Sequence, residues 1–249
     1  MGEEQFPIVD ISRFVQSKGD NSDVGEILNE TAQELFKGFS EWGFIYLKGH
    51  PIPEDMIEQM FKESEKFFKL PLEEKNKVLL SSASDPDYII GYVPFKMETL
   101  SPTKPFDLKE AFDYMHHMRP DMRDKLPKDF LKVFETFFNK CASISNLLFE
   151  LLTKALKIKD KDYLTKSHEK LGVFGNATIL RSLLYPGVQK DTVLPEQTRC
   201  GEHSDYGTFT LLFQNANGLE VIPCKLNLLI FYYLYSRFRF LSINFPTMY

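Results

Sequence analysis

His203-Ser204-Asp205 is where residue type and spacing could do metal chemistry in this chain. Side chains two apart on an extended backbone share a side. The imidazole and the carboxylate can therefore present a nitrogen and an oxygen to one cation. With one further His they would complete a 2-His-1-carboxylate facial triad, the donor set that holds non-haem Fe(II) with coordination positions left open. The setting reads Gly201-Glu202-His203-Ser204-Asp205-Tyr206-Gly207-Thr208-Phe209-Thr210-Leu211-Leu212-Phe213-Gln214. No His occurs from Tyr206 to Tyr249, so the third donor has no candidate downstream.

The other histidines fit structural roles better. His116 and His117 are neighbours, and strand neighbours face opposite sides, so at most one could point at a site. They read as a surface or sheet-edge pair. His50 stands between Gly49 and Pro51, which suits a turn, and His168 lies among Lys166, Glu169 and Lys170, which suits a solvated face. Arg181 is a cation inside an apolar run. It either pairs with an acid or grips a substrate carboxylate bidentately.

The elements that must position these residues follow from periodicity. Apolar residues at helical spacing predict helices over Val24–Trp42, from Pro53 to about Phe68, and from Pro127 to Leu156. The last carries a stripe from Phe130 to Leu151 that reads as core. Phe6–Ile11 predicts an edge strand, since Pro7 cannot donate to a ladder. Phe44–Leu47 predicts a buried strand, and Glu110–Met115 a further one. Residues 81–106, rich in Ser, Pro, Asp and Thr, predict a long surface loop. After residue 172 short β-like runs take over: Ala177–Tyr185, Thr208–Phe213 and Gly218–Ile222. The final stretch, 225–249, has three basic residues, no acid, no Gly and a dense apolar run. It reads as sequence outside the fold's own pattern.

A chain of 249 residues with 43% hydrophobic and 26% charged residues can bury a sizeable core. Its net charge of -5 gives no basic footprint for nucleic acid. Three widely spaced cysteines and an N-terminus without an apolar h-region predict a reducing, cytoplasmic setting, and no run is long enough to span a membrane.

Together these segments resemble the isopenicillin N synthase-like branch of the 2-oxoglutarate/Fe(II) dioxygenase superfamily, from about residue 5 to about residue 223. The resemblance rests on Pro7-Ile8-Val9-Asp10, Trp42 to His50, Phe67 to Pro71, Lys109 to Tyr114, Leu180 to Pro186 and, most specifically, Gly201 to Gln214. It implies an α+β fold, with a helical N-terminal region packed on a double-stranded β-helix (jelly-roll) core that is incomplete at the C-terminus. The implied organisation is an N-terminal dioxygenase region over 5–120, a long helix and linker over 121–172, a partial β-helix core over 173–223 and a divergent tail over 224–249. It implies His203 and Asp205 as ligands of Fe(II), and 2-oxoglutarate and O2 as cosubstrates. The substrate would be a small organic molecule, oxidised at the iron. Tyr185 would contact the 2-oxo acid, or else be a core tyrosine with a satisfied hydroxyl. Leu183, where many plant members carry Asn, implies a non-plant subgroup.

The family's second iron His and its Arg-x-Ser carboxylate grip are missing, since Arg237, Arg239 and Ser242 have the wrong spacing. The expectation is therefore a truncated chain, inactive when isolated. The alternatives are a catalytically dead splice form or paralogue acting as a binding protein, and an incomplete gene model.

Overall fold

The computed structural model describes residues 6–19, 24–80, 90–173, 176–205 and 207–221, together with the backbone of 238–245. In chain order the elements are β1 (Ile8–Asp10), α1 (Ser12–Ser17), α2 (Val24–Trp42), β2 (Tyr46–Lys48), α3 (Glu54–Phe68), α4 (Leu72–Asn76), β3 (Gly91–Val93), β4 (Glu110–Tyr114), α5 (Pro120–Arg123), α6 (Lys128–Ala155), α7 (Tyr163–Ser167), β5 (Ile179–Tyr185), β6 (Phe209–Gln214) and β7 (Phe238–Phe245). They fall into two compact units. One comprises Met1–Ile52, Lys140–Glu169 and Leu219–Tyr232, and the other Pro53–Asn139, Lys170–Gly218 and Tyr233–Tyr249. Helix α6 contributes to both.

In the first unit β1 and β2 pair in parallel, Ile8 opposite Tyr46 and Asp10 opposite Lys48. Pro7 accepts the Tyr46 amide through its carbonyl and has no N–H to give, as expected of an edge. The expected buried strand over Phe44–Leu47 is corrected. The strand is Tyr46–Lys48, and both Phe44 and Tyr46 are exposed. A two-stranded sheet leaves much of such a run uncovered, and the rings gather instead around Phe6, with Trp42 at 5.4 Å and Tyr46 at 6.2 Å. Gly49 follows β2 at φ +74°, where a Cβ would lie 2.6 Å from Asp10 Oδ1 and 2.7 Å from the Ser12 amide. That carboxylate oxygen accepts the Ser12 N–H at the start of α1. Gly49→Ala is expected to cost about 1–3 kcal/mol from backbone strain. A urea midpoint that falls with an unchanged m-value would show it.

His168 also departs from expectation. It is buried, not solvated. Its ring stacks on Phe149 at 4.1 Å, and Nδ1 donates to the Leu164 carbonyl one turn back at 2.7 Å. That local bond lets the ring be buried among flanking charges that remain in water.

The second unit is built on a five-stranded antiparallel sheet in the order β3-β4-β5-β7-β6. Strand alternation sorts its chemistry. Tyr92, Phe112 and Tyr114 face Phe67 of α3 and Phe130 and Phe134 of α6, with Phe67–Phe112 at 4.8 Å and Phe112–Phe130 at 5.1 Å. The phenylalanine stripe is core, as predicted. Asp113, Arg181, Leu183 and Tyr185 take the opposite face, Asp113 lying directly across from Arg181.

The expected surface loop over 81–106 is corrected in part: Gly91–Val93 is a fully buried strand, tied by the Tyr92 amide to the Val78 carbonyl at 2.7 Å. Residues 81–89 lie outside the described residues. Of the strand expected over 218–222, residues 218–221 are irregular, and 222 is outside the described residues. Within the divergent tail, the backbone of Phe238–Phe245 forms β7, between β5 and β6; 224–237 and 246–249 are outside the described residues.

Candidate metal centre

His203 and Asp205 sit on the irregular stretch that precedes β6, not on a strand as their spacing suggested. The ladder begins only at Phe209. The backbone still turns both side chains to one side, and His203 Nε2 lies 3.1 Å from Asp205 Oδ1. Two donors each about 2.1 Å from one cation, about 90° apart, would themselves lie about 3 Å apart. The pair therefore fits a shared metal ion.

The atoms facing away are also engaged. His203 Nδ1 donates to the Gly201 carbonyl at 2.9 Å, which leaves Nε2 as the nitrogen turned toward Asp205. Thr210, near the start of β6, donates its hydroxyl to Asp205 Oδ2 at 2.7 Å and fixes the carboxylate plane. The two side chains are 39% and 49% exposed, so a cation can reach them from solvent. The Asp205 carboxylate pushes the His203 imidazole up to about 10, aided by the Cys200 thiol, and His203 in turn holds Asp205 below the usual carboxylate range. The two form an imidazolium–carboxylate pair.

Tyr185 is buried at the end of β5, packed with Leu183, Cys200 and Ala216. Burial raises its phenol well above the ordinary range, and the neighbouring Cys200 thiol adds to the rise. Arg181 makes the ion-pair choice. It forks onto Asp113 at 2.7 and 2.9 Å and onto Glu98. His116 stacks on Phe138 at 5.5 Å. Among the described residues no group of three or more His, Cys, Asp or Glu is arranged to hold a metal ion.

Sequence reasoning missed Thr210, Cys200, Asp107 and Lys109. Thr210 carries a local signal, a strand hydroxyl five residues beyond Asp205. Asp107 and Lys109 alternate around Leu108 just before β4, which puts both on one side. What they meet there is distant in sequence.

Residues 6–135, more than half of the chain, match the family described as non-haem dioxygenase in morphine synthesis N-terminal. The chain belongs to the non-haem dioxygenase family. Among the chain's relatives, the UPF0676 protein C1494.01 of Schizosaccharomyces pombe is 30% identical over 90% of this chain and 64% of its own length. Homoarginine-6-hydroxylase 2-ODD-C23.1 of Arabidopsis thaliana is 28% identical over 85% of this chain and 65% of its own. The chain thus spans just under two thirds of these relatives' length. A full-length Neurospora crassa protein, solved in complex with alpha-KG, superposes with a TM-score of 0.75 at 24% identity, covering 99% of this chain and 87% of that one. The dioxygenase fold here is therefore α+β with a jelly-roll sheet, as the motifs implied. No helix among the described residues is long and apolar enough to cross a membrane.

Proposed function

We propose that this chain carries two of the three iron ligands of a 2-oxoglutarate-dependent dioxygenase acting on a small organic substrate. One observation carries the reading: His203 Nε2 and Asp205 Oδ1 converge to 3.1 Å while each residue's remaining polar atom is held by Gly201 or Thr210. That arrangement, with hydrogen bonds steadying both side chains, supports reading them as a metal-ligand pair. Bound Fe(II) would supply O2 activation coupled to oxidation of the 2-oxo acid. The chain's own residues have simpler tasks. His203 and Asp205 hold the cation on an open face. Tyr185, fixed by Cys200 on the adjoining sheet face, lines the cosubstrate end. The apolar surface of Leu183 and Ala216 keeps water from that side.

The hydroxylase name of the Arabidopsis relative and the alpha-KG in the Neurospora structure support this reaction class. A net charge of -5 offers nothing to a phosphate backbone, which supports a small molecule over nucleic acid. Free Cys141 and Cys200 support a reducing compartment, the cytoplasm.

Anaerobic titration with Fe(II) tests the reading. Two protein donors leave an incomplete set, so binding at one site with weak affinity is expected. Uncoupled turnover of 2-oxoglutarate by the isolated chain should not exceed background. Submicromolar affinity, or succinate formed above that of an Asp205→Ala control, would contradict the two-donor site. No saturable uptake at all would remove the metal reading.

A further inference from the structure

We propose that Asp107 is a positioning residue for the metal ligand His203, acting through the backbone of Gly201. The inference rests on the metal reading above and concerns what holds the ligand in place. Asp107 Oδ1 accepts the Gly201 amide at 3.0 Å, and the Gly201 carbonyl accepts His203 Nδ1–H at 2.9 Å. Gly201 is thus gripped on both of its peptide groups, and the direction of the imidazole is set by a residue almost a hundred positions away. The other carboxylate oxygen of Asp107 lies 3.0 Å from Lys109 Nζ, which also meets Glu98 at 3.3 Å. Asp107 is 2% and Lys109 4% exposed. At that depth the carboxylate is steadied by the Gly201 amide on one oxygen and by the nearby charge of the Lys109 ammonium on the other.

The packing agrees. A Cβ on Gly201 would sit 2.9 Å from the Ser101 amide, so the 98–109 segment lies directly against the residue that orients the ring. Two further bonds strap the same stretches together: Leu108 N–H to the Thr198 carbonyl at 3.1 Å, and Gln197 Nε2 to the Phe106 carbonyl at 2.8 Å. The ligand loop has no ladder of its own, and this strap stands in for one.

Mn(II) binding to the full chain, followed by loss of the free-ion electron paramagnetic resonance signal, tests this. Asp107→Ala is expected to weaken Mn(II) about tenfold or more, the usual size of a lost outer-shell partner. Asp107→Asn keeps an oxygen for the Gly201 amide and should recover most of that affinity. Gly201→Ala, which forces the same backbone off Ser101 without altering charge, should reproduce the loss even where Asp107→Ala fails to fold. Each is read at a temperature where circular dichroism shows the chain folded, because a purely structural role lowers the melting point and leaves folded-state affinity alone. Unchanged affinity in folded Asp107→Ala or Gly201→Ala, or an Asn variant as weak as Ala, overturns the inference. Wild-type chain that takes up no Mn(II) overturns the metal reading beneath it.

Discussion

Arg181→Ala is expected to destabilise the second unit by about 3 kcal/mol, the lower end of the range for breaking a buried ion pair. Arg181 satisfies Asp113 with both Nε and Nη2, and Asp113's side chain is only 4% exposed. Truncation leaves that carboxylate dehydrated in the middle of the sheet. Glu98 suffers less, since Lys109 still reaches it at 3.3 Å. The arginine side chain remains 26% exposed, which argues against the upper end. Replacing both partners, Arg181→Met with Asp113→Leu, removes the orphaned charge and should return much of the loss. Urea denaturation of the three proteins measures this. A single-variant loss under about 1 kcal/mol would mean that water solvates Asp113 after truncation and that the pair is not buried in effect.

Asp205→Ala should abolish metal uptake, a fall of at least about a hundredfold, because one donor cannot chelate. Thr210→Val should have a smaller effect, about tenfold, since it frees the carboxylate to rotate but leaves both donors present. The ratio between the two variants is the informative quantity. Equal losses would assign Thr210 a direct part in holding the ion. No loss in Asp205→Ala would show that the cation binds elsewhere. Isothermal titration of each with Mn(II) separates these results.

Local patterns made the helices readable. Val24–Trp42 is the helix its spacing predicts, and α6 ends within a residue of the predicted bounds. The Phe130–Leu151 stripe was legible as core because a helix of that length must bury its apolar face somewhere. Tyr92 was not, since it follows a Ser-, Asp- and Pro-rich run and stands between Gly91 and Val93-Pro94, and its burial comes from strand pairing with Phe112 and the ring of Phe67. His168 misled for the converse reason: Lys166 and Glu169 advertise solvent, while the ring turns under Phe149. At the site, the His-x-Asp spacing marked two side chains that do converge, to 3.1 Å, although no ladder holds them. The Asp107 strap could not be marked that way. Gly201 and Asp107 meet only through the fold, and no periodicity links them.

The sheet order carries a further consequence for how the site comes into being. Strands β5 and β6 do not pair with each other. Tyr185 pairs with Phe238 and Thr210 with Asn244, both on β7. Until that strand is made, the element bearing Tyr185 and the element steadying Asp205 each carry an open edge, competent to recruit another chain. Such distant pairing is slow, since loop closure must precede any return in contacts. The elements that carry Tyr185 and Thr210 are therefore joined only once β7 has paired with both.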